Sequence, residues 1–206
     1  MRELLLVRHS AVALDPAVPA SRWCLSDEGR HRARVLAMWL AAHDPVAVVT
    51  SVEPKAVETG RIAAGVLGIP CGKMDGLHEH ERPQAGLAPS REAFQAQVAR
   101  LLRHPHELIF GAETGEAARR RFAHAIDRVL AQHPAGSVAV VTHGTVLSLF
   151  LADVTGIDPV PFWLGLGLPA LVVLSLPNFD LIEVVEDAGL PPAAGAPHPD
   201  RERRGS

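Results

Sequence analysis

The chain has 206 residues, 48% hydrophobic and 21% charged, with a formal net charge of −3. That balance suits one soluble globular domain with a sizeable core, gives no support to a nucleic-acid partner, and contains no apolar run of membrane-spanning length. The opening MRELLLVRHS is too short in its apolar part for a signal peptide, so a cytoplasmic setting is expected.

Leu4 to Val7 is a continuous aliphatic run that ends in Arg8, His9 and Ser10. A strand buried on both faces reads this way, with polar groups where it leaves the sheet. Ala11 to Cys24, with Pro16 and Pro19, reads as a loop over that strand end. Ser26 is a suitable N-cap for a helix, with Asp27 and Glu28 in its first turn. Val35, Leu36, Trp39, Leu40 and His43 give that helix one apolar face, and Trp39 is expected in the core. Val46 to Thr50 is a second strand. Ser51 to Lys55 follow, and Pro54 suits the first turn of a helix that runs to about Leu67.

A short strand is expected near Cys71 to Met74. Asp75 to Arg82 then concentrates His78, His80, Glu79 and Glu81 without helical or strand period. Such loops carry function more often than helix faces do, although a solvated charged loop is the plain alternative. Residues 82–89 read as loop. Phe94, Val98, Leu101 and Leu102 mark a helix that stops at His104-Pro105. Thr114 opens another, whose buried face is Phe122, Ala125, Ile126, Val129 and Leu130. The adjacent Arg119, Arg120 and Arg121 are assigned to solvated surface, since they cannot share a face. His31, His43, His104, His106, His124 and His133 are read as surface or half-buried histidines.

Val138 to Thr142 repeats the first strand's pattern and ends in His143-Gly144. Val146, Leu147, Phe150, Leu151 and Val154 follow as a helix whose N-terminus would favour an anion beside His143. Gly156 to Pro169 reads as a loop, with Phe162 and Trp163 as possible interface residues. Leu171 to Leu176 and Leu181 to Val185 form a hairpin around Pro177 to Asp180. Residues 1–186 are thus expected as one domain and 187–206 as a disordered tail. Cys24 and Cys71 form no CxxC pair. They are expected as two reduced, buried thiols rather than a disulfide or zinc site.

Strands and helices alternate, so the expected fold is α/β. A mostly parallel central sheet carries helices on both faces, a three-layer sandwich, with a C-terminal antiparallel hairpin. Right-handed crossovers then bring the C-terminal ends of the first, second and fourth strands to one edge. His9, Ser51 with Lys55, and His143 fall on that edge. With Arg8 they form a small cationic pocket that matches a phosphate monoester, close to a dianion at neutral pH.

The LVRHS and distant VTHG segments, in this order and context, resemble the histidine phosphatase superfamily, the phosphoglycerate-mutase-like enzymes. The resemblance runs from Leu4 to about Phe179. It implies that His9 is the nucleophile, that Arg8, Lys55 and His143 hold the phosphoryl group, and that Glu79 is the proton donor and then the base. Ser10 stands where the family usually has glycine and Lys55 where it has arginine, which replaces a two-pronged ligand by a point charge. Glu81 is the close alternative to Glu79, and Ser51 and Gly144 belong to the matched motifs. The implied activity is metal-free hydrolysis of a small phosphate ester through a phosphohistidine, with no cofactor. A mutase-type transfer and a catalytically weak phosphate binder remain the alternatives. The sequence carries no reading of oligomeric state.

Overall fold

The structure, a computed structural model, describes residues 2–82 and 90–192. Six strands form one sheet among these residues: β1 (Glu3–Arg8), β2 (Pro45–Thr50), β3 (Cys71–Lys73), β4 (Ser137–Thr142), β5 (Ala170–Ser175) and β6 (Leu181–Val185). Their order is β3-β2-β4-β1-β5-β6. The pairs β1–β4, β4–β2 and β2–β3 are parallel, whereas β5 runs antiparallel to β1 and β6 antiparallel to β5. The expected α/β sandwich with a C-terminal hairpin is the fold observed.

The aliphatic runs are continuous because both faces of the sheet are covered. Leu5 and Val7 pack with Val48, Ala139, Val141 and Val173 against α1 (Asp27–Ala41) and α2 (Pro54–Leu67). Leu4 and Leu6 point the other way, with Val138, Val140, Val172 and Leu174. There they meet α3 (Arg91–Arg103), α4 (Gly115–Gln132), α5 (Gly144–Thr155) and α6 (Pro159–Gly165). The helix starts are built as the sequence implies. Ser26 accepts from the Gly29 amide, Thr114 from the Ala117 amide, and Pro54 opens α2. None of the described helices is long and apolar enough to cross a membrane.

Several expectations are corrected. Residues 156–169 are not all loop: Asp158 caps α6, and Trp163 is buried, so it is no exposed interface residue. The loop 11–24 contains a 3-10 turn at Ala20–Arg22. Trp39 is half-buried rather than core, and its Nε1 donates to the Leu190 carbonyl. Cys24 and Cys71 are free thiols but exposed, one in the loop before α1 and the other on the edge strand β3. His43 is half-buried, one of the two expected alternatives, with its ring enclosed 2.9 Å from Glu3. The chain keeps its contacts past residue 186, where Ala188 is fully buried. The rest of the expected tail, 193–206, and most of the 82–89 loop lie outside the described residues.

Candidate active site

The parallel pairing of β2, β4 and β1 gathers their C-terminal ends, as the alternation of elements demands. His9 extends β1 by one residue, its amide donating to the Thr142 carbonyl at 2.9 Å. Its Nδ1 lies 2.8 Å from the Ser10 carbonyl. A carbonyl only accepts, so Nδ1 carries the hydrogen and Nε2 keeps the lone pair. Burial pushes the His9 pKa well down, reinforced by His143, Lys55 and Arg8. The ring is therefore a neutral imidazole with its Nε2 available for attack.

Ser10 is buried but turned away from the pocket. Its amide donates to Thr59 Oγ1 and its hydroxyl to the Gly29 carbonyl. The serine, a possible site residue by its place in the motif, is thus an anchor between β1, α1 and α2. Gly29 is required at this crossing, since a Cβ there would sit 1.9 Å from the Ala11 carbonyl oxygen.

His143 faces His9, with ring centroids 5.2 Å apart. Its Nε2 is 2.7 Å from Ser51 Oγ. That hydroxyl accepts from the Glu53 amide, and the one acceptor in reach of its own hydrogen among the described residues is His143 Nε2, which places the ring hydrogen on Nδ1. His143 Nδ1 is buried and has no hydrogen-bond partner among the described residues. The same holds for Arg8 Nε, while Arg8 Nη1 donates to the Leu166 carbonyl. Burial lowers the Arg8 pKa to about 10, with Glu79 acting in the opposite direction. Gly144 leaves room for this guanidinium: a Cβ would come within 3.1 Å of Arg8 Nε and of Trp163 Nε1.

Lys55 reaches the same pocket and is buried, but not as a free cation. Its Nζ donates to Glu53 Oε2 at 2.5 Å and to the Ala20 carbonyl at 2.7 Å. Glu53 is itself buried, and its Oε1 accepts from the Glu79 amide at 2.9 Å.

The two candidate acids separate in space. Glu81 is exposed and points at His78. Glu79 turns inward, and its carboxylate accepts from the amides of Thr145 and Val146 at the start of α5. The anion expected at that helix N-terminus is thus a side chain of the protein itself. Burial would raise the Glu79 carboxyl, but Arg82, His143 and the amides of His80 and Thr145 together outweigh it and bring the pKa down to about 2.

Three residues in this arrangement were not singled out from the sequence. Glu53 reads as an acid just before a helix start, and its link to the Glu79 loop appears only in three dimensions. Arg82, 3.7 Å from Glu79 Oε2 and stacked over Phe94 and Phe110, ends the polar cluster and could have been found with it. Arg121 corrects the assignment of the arginine triplet to solvent. It donates to the carbonyls of Gly76, His78 and Glu79 and pairs with Glu113. Arg119 pairs with Glu116 and Asp153 across the surface, and Arg120 is exposed. No group of three or more potential metal ligands occurs among the described residues.

The search of curated proteins found no match. Among solved structures, the chain is similar to YhfR of Bacillus stearothermophilus, with 21% identity, 91% of this chain and 97% of that one covered, and a TM-score of 0.70. It is similar to a mycobacterial glucosyl-3-phosphoglycerate phosphatase solved with inorganic phosphate, at 24% identity, 92% and 100% coverage and a TM-score of 0.70. A phosphoserine phosphatase from Entamoeba histolytica, solved with phosphoserine, shares the fold at 14% identity, 92% and 100% coverage and a TM-score of 0.71. The family model for the histidine phosphatase superfamily, branch 1, matches residues 4–177. That span holds both strand-end histidines, β1 from Leu4 on and β2 to β5, and the chain belongs to this family.

Proposed function

We propose that the protein is a phosphomonoester hydrolase that works through a phosphohistidine on His9 and acts on a small phosphorylated molecule. One observation carries this reading. Two buried N–H donors, Arg8 Nε and His143 Nδ1, lack partners among the described residues beside an imidazole whose Nε2 is open. Buried donors without acceptors are costly. A phosphoryl group supplies several acceptor oxygens at once, and its charge suits the Arg8 guanidinium.

The His9 lone pair forms the Nε2–P bond as the P–O bond to the leaving group breaks. Arg8, His143 and Lys55 stabilise charge on the transferring oxygens. Glu79 gives its proton to the departing alkoxide, then takes one from the water that opens the phosphohistidine. With its pKa brought down to about 2, Glu79 by itself is ionised, the state of the base. An arriving phosphate dianion raises its pKa, as a nearby like charge does, and so favours the acid. The comparisons with phosphatases of this fold and the family match support the reaction class. The localisation is proposed as cytoplasmic, and the domain as residues 1–186 with its packed extension to Leu190.

The test is hydrolysis of p-nitrophenyl phosphate between about pH 5 and 8, with chelator present, for the wild type and His9→Ala. Turnover by the wild type, a phosphorylated protein trapped by acid quench, and loss of both in the variant are expected. A wild type that binds phosphate without turnover would replace the hydrolase by a phosphate-binding protein, a reading that the engagement of Lys55 by Glu53 would then explain.

A further inference from the structure

Glu53 places a carboxylate inside a pocket whose other groups suit an anion. It is buried, with 8% of its surface exposed, and so is Lys55, with 6%. Its two oxygens have separate duties. Oε2 accepts from Lys55 Nζ at 2.5 Å, and Oε1 accepts from the backbone amide of Glu79 at 2.9 Å. Oε1 also lies 3.5 Å from His143 Nε2, too long for a good hydrogen bond but close enough to place the charge beside that ring. One side chain therefore links the start of α2, the end of β4 and the loop that carries Glu79.

Lysine has three donors. Two are taken, by Glu53 and by the Ala20 carbonyl, which leaves a single N–H of Lys55 for a ligand. A phosphate bound beside His9 and His143 has to share this ammonium with a carboxylate that is already there. It also meets the negative charge of Glu53 directly, in a buried place where charges are weakly screened.

Resting on the phosphatase reading, we propose that Glu53 sets how tightly this site holds a phosphoryl group. Its carboxylate competes with the phosphoryl oxygens for Lys55 while it holds the Glu79 loop in place. Bound phosphate, the product of the reaction, is thereby weakened by the protein itself. Glu53 is a positioning residue in this scheme, and it takes no part in bond making.

The experiment is calorimetric titration with inorganic phosphate, for the wild type, Glu53→Gln and Glu53→Leu, each checked for its fold by circular dichroism. The carboxylate meets Lys55 and the Glu79 amide with two different oxygens, so glutamine, with one oxygen and an NH₂ in place of the other, loses one of these contacts in the present geometry and leucine loses both. Both variants are expected to bind phosphate more tightly, on the order of tenfold, because one buried negative charge near a dianion is gone. In a Lys55→Met background, Glu53→Gln should give a smaller gain, since the competition runs through Lys55. A purely structural role has the opposite sign, because a loosened pocket binds phosphate less well. Folded variants with unchanged or weaker phosphate binding would overturn the inference and leave the hydrolase reading intact. A wild type that neither binds phosphate nor turns over an ester would remove the hydrolase reading first, and this inference with it.

Discussion

His9 and His143 are buried with their ring faces tilted at 60°, and burial drives both imidazoles well below their ordinary pKa. For His143 the neighbouring Lys55 adds to the effect, against an opposing pull from Glu79. The unfolded chain takes up these protons near pH 6.5, and the folded chain only well below it. Between those points the unfolded state binds more protons, so stability is full above about pH 6.5 and falls as pH drops beneath it. Glu79, lowered to about 2, adds a separate loss that begins only below about pH 4.3. Urea unfolding at about pH 7.5 and 5.5 isolates the histidine part. The wild type should lose stability across that interval, and the His9→Asn, His143→Asn double variant should lose clearly less. Equal losses would mean that the two rings titrate in the folded protein as they do in the unfolded chain. The histidines and Arg8 were legible in the sequence because each closes an aliphatic run. Glu53 was not, because an acid before Pro54 has an ordinary place at a helix start, and Glu79, the partner that ties it to the site, lies 26 residues on in another segment.

At the scale of elements, α4 does more than cover the sheet. Successive residues on a helix are about 100° apart, so three adjacent arginines span more than half the circumference and do not share one environment, and one of them lies under a loop. That one is Arg121, and assigning all three to solvent overlooked the loop that covers this side of α4. Its guanidinium ties three carbonyls of the 76–79 segment to the helix. The short α6 escaped sequence reading for another reason. Pro159, Pro161 and Gly165 frame only seven residues, too few to show a period. The strands were legible, since both faces of β1, β2 and β4 are apolar and their length is fixed by flanking turns. Arg121→Met tests the clamp. The variant keeps the apolar stem, frees the loop, and should lower turnover of an alkyl phosphate at least tenfold. It should lower turnover of p-nitrophenyl phosphate far less, because that leaving group needs no proton from Glu79. Equal losses on both substrates would show a general disturbance of the fold rather than a displaced acid.

For the whole molecule, the parallel order of β2, β4 and β1 explains why residues as distant as Arg8, Ser51 and His143 share one pocket. That convergence follows from strand and helix alternation and could be read before any coordinates. The C-terminal closure could not, because Asp187 to Leu190 lie in a stretch rich in proline, alanine and glycine that has no pattern of its own. They nevertheless strap the hairpin to α1. Arg32 pairs with Asp187, the Ala188 amide donates to the Pro169 carbonyl at 2.9 Å, and Trp39 Nε1 donates to the Leu190 carbonyl at 2.8 Å. Ala188 itself is fully buried. Two hydrogen bonds of about 1 kcal/mol each, with the half-exposed ion pair adding little, make the strap worth about 2 to 3 kcal/mol once the burial of Ala188 is included. For a chain of this size that corresponds to about 5 to 10 °C in melting temperature. A chain ending at Glu186 should therefore melt lower by that amount than one ending at Pro192, by calorimetry under identical conditions. Identical melting of the two would place the end of the cooperative domain at residue 186 and reduce the strap to a surface contact.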